Sequence, residues 1–292
     1  MSYQQITYSV EKNILTITLN RPEKRNAWTW VMANELRDAM LRAERDRDVR
    51  VVVLTGAGNA FCSGADLDEL KDAGNLLQEV LREDNQDAPE KQVSILMKTK
   101  TDEELDPENP SGKRGDFRKR FSYFLGVDKP VIAAVNGPAV GLGFVVGLYC
   151  DIRFASDQAR FSTAFSRRGL IAEHGISWIL PRIAGLANAL DLLFSARMID
   201  ASEALSMGLV SRVFPQGEFM ARVKDYASVL ATEVSPRSLG VMKRQVYRAQ
   251  FQTLAEAWQE ADAEMLLSFR SEDAKEGVAH FLEKRAPDFT GR

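Results

Sequence analysis

A chain of 292 residues with 45% hydrophobic and 27% charged side chains has the balance of a globular protein, long enough for one large domain or two. Its net charge of −3 offers no basic field for nucleic acid, it lacks the run of about 18 apolar residues that a membrane helix needs, and His174 and His280 alone cannot build a histidine-rich metal site. Two cysteines, Cys62 and Cys150, and a start without a basic stretch leading into an apolar one predict buried thiols in the cytoplasm, not a disulfide framework.

In chain order, "ITYSVEKNILTITLN" (6–20) predicts two strands about a turn at Lys12 and Asn13. Residues 29–45 place Met32, Leu36, Ala39, Met40 and Ala43 on one face of a helix. "VRVVVLTG" (49–56) is a continuous apolar run ended by glycine, the pattern of a strand buried on both faces. A charged excursion follows over 68–122 and contains "DPENPSGKRGD"; it reads as a surface excursion or as a lid beside a ligand site. "KPVIAAVNG" (129–137) and "DIRFAS" (151–156) predict two more strands, so the order is that of an α/β body. From about 216 the pattern is helical throughout, which divides the chain into an α/β core over 1–215 and a helical region over 216–292.

Four glycines interrupt the most apolar stretch, "NGPAVGLGFVVGLYCD" (136–151): Gly137, Gly141, Gly143 and Gly147. Inside a helix or strand each costs about 0.5–1 kcal/mol relative to alanine. A second strand-to-glycine junction, "VVVLTGAGNAFCSGADLDEL", has the same form. Both are expected to leave backbone N–H groups unpaired near a helix N-terminus, where anions and developing negative charge are favoured. The alternative is glycine for tight helix–strand packing. "GLGFVVG" is one residue off the dinucleotide fingerprint, stands far from the first strand and lacks its acidic partner, so it is a weak signal. A serine hydrolase is disfavoured too: Ser63 is the serine at a glycine turn, and neither histidine lies on a segment expected to reach it.

The stretches "ITLNRPEKRNAW", "AFCSGADL", "KPVIAAVNGPAVGLG", "CDIRFAS", "LPRIAG" and "SEDAKEGVAHFLEKRAPDFTGR" together resemble the enoyl-CoA hydratase/isomerase family, the crotonase superfamily, over nearly the whole chain. The excursion at 68–122 is longer than that family's usual one. The resemblance implies a crotonase (ClpP-like) spiral of β-β-α units with a helical C-terminal trimerisation region, assembling as a homotrimer or dimer of trimers. It also implies an acyl-CoA substrate, with coenzyme A as part of that substrate and no separate cofactor or metal. Two backbone amides would hold the thioester oxygen as it becomes an enolate: Ala65 in "CSGADL", and Leu142 after Gly141. Lys24 and Arg25 would meet phosphates, and Ser63, Gly64, Ala65, Asp66 and Leu67 would line the nucleotide side. Phe281 and Lys284 would add a C-terminal nucleotide contact, often given across a subunit boundary.

The chain departs from the hydratase pattern at both glutamates of that mechanism, where it has Val145 and Phe165. Neither side chain transfers protons. A third acid position, used by some double-bond isomerases of the family, holds Glu173 in "RRGLIAEHGISWILPRIAG". Its competing reading is a helix N-terminal charge or cap. His174, next along a turn, is expected to diverge from it. These residues imply an enolate-stabilising acyl-CoA enzyme with Glu173 as acid/base, isomerising or hydrating an enoyl-CoA; a coenzyme A-binding protein that has lost turnover is the alternative.

Overall fold

The computed structural model describes residues 3–69, 71 and 115–292; most of the excursion, with its expected lid, lies outside them. Strands β1 (Ile6–Glu11) and β2 (Ile14–Leu19) form an antiparallel hairpin. Lys12 and Asn13 join them at φ 50° and 63°. Two successive left-handed residues give the turn whose twist matches paired strands. The Thr29 side chain then accepts from the Met32 N–H and caps α1 (Trp30–Arg45), which buries Met32, Leu36, Ala39, Met40 and Ala43, the face expected from their spacing.

Strand β3 (Val51–Gly56) is buried along its whole length. After it come a short α2 (Tyr123–Gly126), β4 (Val131–Val135), β5 (Ala139–Val140) and α3 (Leu142–Tyr149). Next are β6 (Ile152–Ser156), β7 (Arg160–Ser162), α4 (Ile176–Ala184), α5 (Leu186–Ser195), β8 (Ile199–Asp200), α6 (Ala201–Ser206) and β9 (Arg212–Phe214). Beyond β9 the chain is helical: α7 (Phe219–Thr232), α8 (Pro236–Ala249), α9 (Leu254–Phe269) and α10 (Glu272–Glu283). Six strands pair in the order β1-β2-β3-β4-β6-β9, parallel from β2 onward, and β5, β7 and β8 make a smaller sheet.

The continuous apolar run of β3 follows from cover on both faces. Val52 and Leu54 pack into the larger core with Leu15, Ile17, Val131 and Phe61. Val51 and Val53 face the other way, against Ile132, Phe154 and the α7 residues Phe219, Val223, Ala227 and Ala231. Full burial of each valine, leucine, isoleucine or phenylalanine among them contributes about 1.5–3 kcal/mol. The helical region is tied to this body by a buried ion pair, Lys243 Nζ to Asp151 Oδ2 at 2.7 Å, with the Tyr247 hydroxyl on the other carboxylate oxygen. Losing one partner would strand a buried charge, which is far costlier than the pair is stabilising.

Candidate active site

The chain leaves β3 and β4 through two glycine-bearing turns that lie side by side. Phe61 and Cys62 both donate their N–H groups to the Pro138 carbonyl, and the Val140 N–H donates to the Cys62 carbonyl. Glycine serves two purposes here. At Gly143 a Cβ would stand 2.3 Å from the Cys62 carbonyl oxygen, and at Gly137 2.2 Å from that of Asn59, so close packing of backbones requires both. Gly141 instead adopts φ 54° and ψ −117°, a conformation that side chains avoid. Packing thus accounts for Gly137 and Gly143, and the turn itself for Gly141. Gly143→Ala should cost about 1–3 kcal/mol, the scale of forced overpacking; urea unfolding with a midpoint unchanged from the parent would contradict this reading.

Each turn presents one amide. Trp28 brackets Ala65, donating its N–H to the Gly64 carbonyl and accepting from the Asp66 N–H. The Ala65 N–H has no acceptor among the described residues. Leu142 opens α3; Gly141 supplies no side-chain cap, and the first bonded amide is that of Val145. The Leu142 N–H is therefore also without an acceptor among the described residues. A Cβ built on Gly64 would lie 4.0 Å from the Cα of Gly141, so the residues preceding the two amides are in contact distance. Amides near the protein interior are nearly always paired, and two left open on adjoining turns suit an external oxygen.

Two side chains missed from sequence hold the β3 exit in place. Buried Asn26 donates to the carbonyls of Ala57 and Ala60 and accepts from the Arg21 N–H. Asn136 donates to the carbonyls of Gly56 and Gly58 and accepts from the Gly56 N–H. Their positions beside glycine turns were the available signal.

The residues assigned to coenzyme A contact fall into two groups. Ser63 donates its N–H to the Arg25 carbonyl and its hydroxyl to that of Lys24, so residues 24–25 adjoin the Ser63–Leu67 turn. Lys24 and Arg25 are exposed, and the Lys24–Asp68 ion pair at 3.5 Å is a solvated one of small energy. Leu67 is exposed as well. Asp66 differs from its neighbours: its carboxylate is buried against Arg21 at 2.8 Å and accepts from the Asp68 N–H. Burial works to raise its pKa, but the Arg21 hydrogen bond and the helix amides of Asp68 and Glu69 outweigh it and hold it below the usual carboxylate value. Phe281 and Lys284 stand exposed at the end of α10, with no hydrogen bond or ion pair to residues 24–25 or 63–67 among the described residues.

Val145 and Phe165, which the resemblance sets at the two hydratase glutamates, are 0% and 5% exposed, so apolar side chains fill both places. Glu173 is half-buried, ahead of α4. The cap of α4 is Gly175, in the left-handed region, with no side-chain cap hydrogen bond, so Glu173 does not cap that helix. Contrary to the sequence expectation, His174 does not diverge from it: Nε2 of His174 lies 3.5 Å from Oε2 of Glu173. His174 has φ 57° and its backbone carbonyl accepts from the Tyr149 hydroxyl at 2.8 Å. The two side chains thus meet at a turn where His174 is in the left-handed region, outside the regular alternation of strand or helix. Tyr149 could have been found from spacing, since Leu142, Val145 and Tyr149 fall at i, i+3 and i+7 of one helix.

The sequence profile of the enoyl-CoA hydratase/isomerase family matches residues 9–96 and 97–292. The chain is 34% identical to the 1,2-epoxyphenylacetyl-CoA isomerase of Escherichia coli, over 97% of each protein. It is equally 34% identical to a probable enoyl-CoA hydratase of Rhodobacter capsulatus, over 100% of both. In three dimensions it superposes on an enoyl-CoA hydratase of Bacillus anthracis with a TM-score of 0.82 at 27% identity, covering 99% of this chain and 100% of that one. A Geobacillus kaustophilus structure described as an enoyl-CoA hydratase gives 0.80 at 32% identity, over 100% of both chains. The architecture is the crotonase fold.

Proposed function

The chain belongs to the enoyl-CoA hydratase/isomerase family, and from that premise we propose that it isomerises the double bond of an enoyl-CoA thioester, with Glu173 as its acid/base. The observation that carries this reading is that Val145 and Phe165, set by the resemblance at the hydratase carboxylates, are buried and apolar, while a carboxylate that caps no helix stands at Glu173. Isomerisation needs one group that takes a proton and returns it elsewhere. Glu173 takes a proton from C2 of a 3-enoyl-CoA; the C–H electron pair becomes part of a dienolate, whose charge rests on the thioester oxygen between the amides of Ala65 and Leu142. Glu173 then delivers the proton to C4, and the double bond settles between C2 and C3. Relatives of equal identity are named for an isomerase and for a hydratase, so the choice of isomerisation over water addition rests on the side chains at Val145, Phe165 and Glu173. Lys24 and Arg25 would hold phosphates, with the Ser63–Leu67 turn along the nucleotide side. Turnover of 3-enoyl-CoA against 2-enoyl-CoA by the purified protein tests the reading: hydration of the second with no isomerisation of the first would reject it, and tight coenzyme A binding with neither reaction would mark a protein that has lost its chemistry.

The same reading extends to assembly. Helix α9 buries none of its residues, although Leu254 and Trp258 are 80% and 66% exposed and Met265, Leu266 and Phe269 are exposed with them. An apolar face of that extent is the mark of an interaction surface. A homotrimer, or a dimer of trimers, would cover it and would bring Phe281 and Lys284 to a neighbouring copy's nucleotide. Light scattering at micromolar concentration should give a trimer or hexamer, and a monomer would refute this.

A further inference from the structure

We propose that Tyr149 is a positioning residue: its hydroxyl, on the helix that opens with the Leu142 amide, holds the left-handed turn at His174 and Gly175 and thereby aims Glu173. The proposal rests on the reading of Glu173 as the acid/base. Leu142 and Tyr149 stand at the two ends of α3, about 10 Å apart along its axis. One rigid helix therefore carries an oxyanion donor at its start and the anchor of the base turn at its end.

The turn needs an anchor. His174 and Gly175 take φ 57° and 73° in succession, and a residue with a Cβ is disfavoured there. The His174 carbonyl accepts from the Tyr149 hydroxyl and from no other donor among the described residues. Tyr149 is 5% exposed, and burial pushes its phenol up to about 12, so it stays a donor at any working pH. Below the hydroxyl there is room only for glycine: a Cβ on Gly175 would lie 2.4 Å from the Tyr149 oxygen. The ring side is held as firmly. Phe121 stacks on Tyr149 with centroids 6.5 Å apart and meets the His174 ring edge-on at 5.2 Å. Phe121 also packs on Trp28 at 5.7 Å, the residue that brackets Ala65. One aromatic cluster thus touches both the donor turn and the base turn, and the Tyr149 hydroxyl is its single hydrogen bond to the latter among the described residues.

Tyr149→Phe removes that hydroxyl and keeps the ring. Gly175→Ala presses a methyl against the hydroxyl without altering Tyr149, and serves as the second variant should the first not fold. Both are compared with Glu173→Gln on 3-hexenoyl-CoA, or on the best substrate of an acyl-CoA panel, with melting temperature and coenzyme A affinity measured alongside. The expected result is a fall in kcat of at least fivefold for each variant, with KM and coenzyme A Kd within twofold of the parent. A purely structural role would instead move KM and coenzyme A Kd together with kcat. A smaller fall, or KM changing in step with kcat, overturns the proposal. If Glu173→Gln collapses activity while Tyr149→Phe does not, only the positioning role fails; if Glu173→Gln keeps the parent rate, the reading of Glu173 fails first and the positioning role with it.

Discussion

Glu173→Gln should lower turnover on the best acyl-CoA substrate by about 10²–10⁴-fold, the usual contribution of a general acid/base. Glutamine keeps the shape and hydrogen-bonding reach of glutamate and removes only the proton acceptor. On the proposed assignment, Val145 and Phe165 stand at the two other acid positions, so neither can take over the proton transfer. Coenzyme A affinity should hardly change, because the phosphates are assigned to Lys24 and Arg25 on a different turn. Stability should change by no more than about 1 kcal/mol, the scale of one charge near a helix N-terminus, since the cap of α4 is Gly175. Turnover within threefold of the parent would exclude Glu173. The base would then be sought at Glu83, Asp84 or Asp87, which lie outside the described residues.

Leu142→Pro should cost about 10²–10³ in turnover, the loss typical of one oxyanion donor. Proline lacks the N–H and is well tolerated at the first position of a helix, which is where Leu142 stands. It also deletes a buried leucine side chain, a loss of about 1–3 kcal/mol by burial. Leu142→Ala separates the two effects, because it sheds most of the side chain and retains the amide. If both variants are folded by circular dichroism and equally active, the Leu142 amide is not a donor to substrate. A large gap between them, with proline the slower, assigns it.

The elements were legible where a local rule governs. The hairpin at Lys12 and Asn13, the buried face of α1 and the doubly covered strand β3 each follow from periodicity or turn chemistry within a dozen residues. The motif series around "CSGADL" and "VNGPAVGLG" was equally readable. The glycines were only half legible. Composition could not say which of them serve a turn and which a close approach, because that depends on the Asn59 and Cys62 carbonyls, which come from the other junction.

The sequence by itself determined the chemical inventory: an acidic chain with few histidines, a crotonase-type motif series, and the proposed acid/base Glu173 beside two apolar residues, Val145 and Phe165. Tertiary structure alone decided how that inventory meets. It set the Ala65 and Leu142 turns against each other through hydrogen bonds between segments more than seventy residues apart, and it turned the Asp66 carboxylate inward onto Arg21. It also drew His174 beside Glu173 by a left-handed backbone that Tyr149 secures from another helix. The physical reason is the same in each case. Hydrogen bonds and backbone approaches between distant segments depend on a fit of a few tenths of an ångström in three dimensions, and no local pattern along the chain encodes that distance.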